Sequence, residues 1–88
     1  MAIHCIIKGK VQGVWFRQST LEQANELGIT GWVKNNPDGD VELIACGEDN
    51  ALDALKRWLW QGPQLAEVNE VLIEDIPDQV FSHFFIQT

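Results

Sequence analysis

The chain has 88 residues, long enough to bury roughly 60% of its unfolded surface around one core and too short for a catalytic domain plus a separate binding domain. With 45% apolar and 22% charged residues it has the composition of an ordinary globular domain, which excludes a disordered chain. Six Lys and Arg stand against thirteen Asp and Glu, a net charge of −7. That balance excludes nucleic acid and an anionic membrane as partners, and as a bare total it argues against any anionic ligand.

The N-terminus, MAIHCIIKGK, has a short apolar stretch with no basic region before it and no small-residue cleavage site after it. It reads as a strand and not as a secretory signal. No apolar run is long enough to span a bilayer, so a cytoplasmic protein is expected. Residues 2–8 form the first strand, with Ile3, Cys5 and Ile7 on one face, and Gly9 ends the run. From Phe16 the spacing becomes helical: Phe16, Thr20, Ala24 and Leu27 recur at three and four residues, and Gly28 stands where a left-handed C-terminal cap belongs. Residues 30–35 and 41–46 are short strands around Asn36-Pro37-Asp38-Gly39, whose proline and Asp-Gly pair predict a hairpin. A second helix follows, with Glu48, Asp49 and Asn50 as capping candidates, Leu52, Leu55 and Leu59 on its apolar face, and Gly62-Pro63 as its stop. Residues 68–75 and 80–87 read as two last strands, separated by Pro77-Asp78.

The order βαββαβ plus a terminal strand predicts an α+β two-layer sandwich of the ferredoxin-like split β-α-β type, a mixed, mainly antiparallel sheet with two helices on one face. Residues 1–88 are expected to form a single domain. Strands one and two, joined through a helix, run parallel, with strand three antiparallel between them. The segment after Lys8 and the residues around Asn35 should therefore meet at one edge.

Between Gly9 and Gln18 the chain reads GKVQGVWFRQ, with no Ser, Thr, Asn or Asp to cap the helix it enters. An uncapped start leaves up to four backbone N–H groups unpaired at the positive end of the helix dipole, a ready anion site. Gly9 and Gly13 allow tight turning, and Arg17 adds a planar fork for two phosphate oxygens. The plainer alternative is a glycine loop satisfied by water, with Arg17 a solvated surface residue. Two other phosphate-loop motifs fail: Val11 follows Lys10 where a Walker loop needs Ser or Thr, and the glycine spacing is not that of a dinucleotide loop.

IKGKVQGVWFR (Ile7 to Arg17) resembles the phosphate-loop signature of the acylphosphatase family. GWVKNNPDGDVELIACG (Gly31 to Gly47) resembles the family's second signature. The likeness runs along the whole chain, through Trp58-Leu59 and Phe84-x-Ile86. It implies hydrolysis of a mixed carboxylic-phosphoric anhydride to a carboxylate and inorganic phosphate, without metal, cofactor or covalent intermediate, by an acylphosphatase. Carried onto this sequence, Arg17 binds the phosphate, the backbone N–H groups of Gln12, Gly13, Val14, Trp15, Phe16 and Arg17 form the cradle, and Asn35 holds the attacking water. A neutral amide orients water but cannot act as a base at pH 7, so the proton is expected to pass to the substrate. The implied partners are a small acyl phosphate, with broad acyl specificity, and inorganic phosphate as product and inhibitor; a monomer is expected. The same fold leads longer carbamoyl-transferring maturation proteins, whereas this chain ends at Thr88.

Other candidates carry less. His4 lies roughly 16 Å along the strand from Gly9, and His83, placed on the last strand, reads as a half-exposed strand residue. Asp38 and Asp40 are runner-up bases with a sufficient explanation as turn residues. Trp32 and Trp58 fit a strand and the helix core stripe, while Trp15, beside the loop, could meet the acyl part of a substrate. Cys5 and Cys46 lack metal or redox spacing and fall on opposite faces, so two free, non-catalytic thiols are expected. The charge also divides unevenly: residues 1–21 carry Lys8, Lys10 and Arg17 and no acid, giving +3, against three bases and thirteen acids in the rest, giving −10. With Lys34 beside Asn35, four cations are expected near the anion site. Two rival functions remain at this point, a non-catalytic anion-binding module and an RNA-binding sheet; the second lacks a basic, aromatic open face.

Overall fold

The computed structural model describes residues 1–87. Seven elements follow in order: β1 (Ala2–Lys10), α1 (Phe16–Leu27), β2 (Thr30–Asn35), β3 (Val41–Cys46), α2 (Asp49–Gln61), β4 (Glu67–Ile76) and β5 (Phe84–Ile86). The five strands form one sheet in the order β4-β1-β3-β2-β5. All pairings are antiparallel except β2 with β5. This is the expected two-layer arrangement.

Alternation along the strands sets the core. Ile3, Cys5 and Ile7 of β1 and Val41, Leu43 and Ala45 of β3 are fully buried on the helix-facing side. They meet Phe16 and Ala24 of α1 and Leu52, Leu55 and Leu59 of α2 in one apolar cluster. Thr20 is also fully buried, and its hydroxyl donates to the Phe16 carbonyl at 2.8 Å, so α1 brings no unpaired polar atom into the core there. Trp58 packs on Phe16 with ring centroids 5.6 Å apart. Cys46 lies outside the core cluster, on the other face of the sheet from Cys5, and both thiols are free.

Three expectations are corrected. The first strand does not end at Gly9 but runs to Lys10 through a bulge between Lys8 and Gly9, where Gly9 takes φ 132° and its backbone lies against Glu67. The last strand is three residues long and not eight. Residues 77–83 form bends and open loop, and His83 precedes the strand. The capping candidates of α2 are not used as such. Glu48 is the N-cap without a side-chain cap bond, and Asn50 Oδ1 accepts only from the adjacent Ala51 N–H. The hydrophobic face of α2, with Leu52, Leu55 and Leu59 all buried, holds it instead.

Candidate active site

The register brings the loop and Asn35 together. Ile7 of β1 and Asn35 of β2 both face Val41 of the intervening β3, so the chain leaving β1 passes beside the end of β2. The helix α1 starts there without a side-chain cap; its N-cap residue is Trp15, in the left-handed region at φ 68°. Among the described residues, none of the backbone N–H groups from Gln12 to Arg17 donates to a protein acceptor. Six successive donors at a helix N-terminus suit an anion.

Over this loop lies a cleft of about 440 Å³, lined by Gly13, Trp15, Arg17 and Gln18 on the loop and helix side and by Asn35 and Ile86 on the sheet side. Arg17, in the first turn of α1, makes no ion pair among the described residues. Asn35 Oδ1 is buried and accepts no hydrogen bond from any described residue. A buried acceptor without a donor carries a desolvation cost, which a bound water removes by donating one proton to it.

The remaining loop residues divide by direction. Val14 and Phe16 are buried in the core, so they offer the cleft mainly their backbone. Gly13 takes φ 74°, with open space beside it. Trp15 is 74% exposed. Gln12 does more than the sequence indicated: its Nε2 donates to the Asn36 carbonyl at 2.8 Å and the Asp40 carbonyl at 2.9 Å. One side chain thereby ties the loop to the turn that follows Asn35. A long amide donor between two glycines was the available signal.

The predicted cluster of four cations is corrected. Lys8 Nζ is 2.6 Å from Asp40 Oδ2, and this hydrogen-bonded pairing raises the Lys8 pKa above its ordinary value. Lys34 lies 3.9 Å from Glu42 Oε1 and 5.4 Å from the Trp32 ring centroid, on the face of the sheet away from the cleft. Of the four, Arg17 alone lines the cleft. Asp38 and Asp40 are also accounted for: Asp38 Oδ1 accepts the Asp40 N–H at 3.0 Å, and neither borders the cleft. His4 Nε2 sits 2.6 Å from Glu42 Oε2, and that hydrogen bond holds the Glu42 carboxyl below its ordinary pKa. His83 contacts Ser82 and Phe85 on the exposed bend.

Fold and cleft define a small α+β protein with an anion-receptive loop facing one buried amide. The acylphosphatase family model matches residues 3–86. An acylphosphatase from Nitrosococcus oceani is 56% identical over 78 residues, covering 86% of this chain and 88% of the relative. Among solved structures, an acylphosphatase from Coxiella burnetii matches with a TM-score of 0.95 at 49% identity, over 98% of this chain and 90% of that one. One from Bacillus subtilis gives a TM-score of 0.94 at 32% identity, over 99% and 98%. The chain belongs to the acylphosphatase family, enzymes that hydrolyse acyl phosphates. No helix among the described residues is long and apolar enough to cross a membrane.

Proposed function

We propose that this enzyme cleaves the carboxyl-phosphate bond by direct attack of a water held by Asn35, without a metal ion, while Arg17 and the backbone N–H groups of Gln12 to Arg17 bind the phosphate. The observation that carries this reading is the buried, donorless Asn35 Oδ1 in the same cleft as Arg17. A water that donates a proton to this oxygen keeps a lone pair free for phosphorus. An acyl phosphate has a good leaving group, so the work left to the protein is positioning and stabilising charge on the equatorial oxygens. Arg17 and the unpaired amides are suited to the second task. Asn35 cannot remove the proton, and it passes to a phosphate oxygen or to the departing carboxylate. A phosphate-binding role alone gives no reason for a buried acceptor beside the loop, which favours hydrolysis over a purely anion-binding module. The enzyme acts as a cytoplasmic monomer in this reading, and inorganic phosphate competes with substrate.

The test is hydrolysis of benzoyl phosphate in excess chelator. Wild-type activity should be unaffected by the chelator, Arg17→Ala should lower kcat/KM at least ~10²-fold, and Asn35→Ala should lower kcat by a similar factor. A fully active Asn35→Ala enzyme would sink the mechanism.

A further inference from the structure

The cleft that holds Arg17 and Asn35 is also lined by apolar side chains. Besides Arg17 and Asn35 it is lined by the exposed Trp15 indole and by Ile86, with Gln18 at the side, while Val11 and Phe16 are buried in the core and offer it little apolar surface. Trp15 stands out on this wall. It is the one non-glycine residue with positive φ among the described residues, it supplies no cap to the helix it begins, and it leaves an indole 74% exposed. The indole neither caps the helix nor belongs to the core cluster. Together these features hold a flat apolar ring at the rim of the cleft, next to the place where the acyl half of a bound substrate must emerge.

Charge restricts the same space. Lys8 is engaged by Asp40 and Lys34 by Glu42, and Lys10, exposed and in no ion pair among the described residues, does not line the cleft. Arg17 is the cation lining the cleft, and in the reading above it is occupied by the phosphate. A second anionic group on the acyl side meets indole and aliphatic surface.

We infer that the enzyme selects acyl phosphates with an uncharged, flat apolar acyl group, aryl above small alkyl, and that Trp15 is the residue that sets this preference by stacking on the acyl group. The inference rests on the phosphate occupying the Arg17 end of the cleft. Narrow selection of this kind departs from the broad specificity expected from sequence. The stacking contact strengthens binding of the whole substrate, so it acts through KM.

The experiment compares kcat/KM for benzoyl phosphate and acetyl phosphate in the wild type, Trp15→Gly and Trp15→Phe. The readout is the ratio between the two substrates. Glycine suits the left-handed backbone and removes the ring, while phenylalanine keeps a ring. Trp15→Gly should lower the benzoyl-to-acetyl ratio about tenfold, the scale of one aromatic contact with its buried area, with the change carried in KM. Trp15→Phe should restore most of it. The Ki of benzoylphosphonate, a non-hydrolysable analogue, should rise in Trp15→Gly by the same factor, and that of acetylphosphonate should rise much less. A ratio within twofold of wild type in Trp15→Gly, or an equal loss with both substrates, overturns the inference. Because the ratio and the Ki values are independent of how the water is held, they stay decisive even if Asn35→Ala proves fully active.

Discussion

At the scale of single residues, Trp15 shows a function set against stability. A side chain in the left-handed region brings its Cβ against the following carbonyl, at a cost of about 1–2 kcal/mol, and Trp15 sits there at φ 68°. Glycine escapes that cost but loses about 0.5–1 kcal/mol more conformational entropy on folding. The indole is mostly exposed and caps nothing, so little packing is lost with it. Trp15→Gly should therefore raise stability by about 0.5 kcal/mol, a Tm increase of roughly 2–4 °C by calorimetry. A fall of several degrees would show that the indole supports the fold. Such a conformation could not be read from the sequence, because only glycine advertises positive φ. Gly28 illustrates the legible case: it ends α1 at φ 71° in a Schellman arrangement, with its N–H on the Asn25 carbonyl and that of Ile29 on Ala24.

Among elements, the important relation is between the loop entering α1 and the turn joining β2 to β3. Their approach was legible in advance, since a parallel β1–β2 pair with β3 between them forces both to one edge of the sheet. The tie that fixes their spacing was not, because a hydrogen bond from Gln12 across 24 residues to the Asn36 carbonyl leaves no local pattern. The two carbonyls it joins keep backbone donors of their own, Gly39 N–H on Asn36 and Asn36 N–H on Asp40. Removing the Gln12 amide therefore strands no acceptor and should cost only about 1 kcal/mol of stability. Positioning is more sensitive, because a displacement of about 1 Å can cost ~10² in rate. Gln12→Met should lower kcat about tenfold or more while the Ki for inorganic phosphate moves less than threefold. An Arg17 variant should do the reverse to phosphate binding, so the two roles separate on one enzyme. The errors at element scale share a cause in tertiary packing. Residues 80–83 have strand composition, but β2 pairs with only Phe84–Ile86, and α2 is held by its leucines in place of a side-chain cap.

For the whole molecule, the sequence placed the charge correctly along the chain but could not say which cations were free. Lys8 and Lys34 look like part of a positive site in one dimension; pairing across strands turns them to Asp40 and Glu42 instead. Nearness in sequence misled for the lysines, whereas strand alternation served well for the cysteines, since a period of two assigns Cys5 to the helix side and Cys46 to the other. Those two thiols offer a reading of how the molecule opens. Cys5 is fully buried opposite Leu43, and desolvation raises its pKa to about 12, so at pH 8 it is both protonated and inaccessible. Cys46 is 9% exposed, in the last position of β3, where fraying of one strand end uncovers it. Alkylation by iodoacetamide should therefore be stepwise, with Cys46 modified first through local opening and Cys5 at least about 10³-fold more slowly than a free thiol, through global unfolding. Peptide mapping of the singly labelled protein checks the order. Added urea provides the second check: the Cys5 rate should rise with the full m-value of equilibrium unfolding and that of Cys46 with a smaller slope. Equal slopes would mean that the sheet opens as one unit. A fast Cys5 would mean that the layer of β1, β3 and α2 around it opens well short of global unfolding.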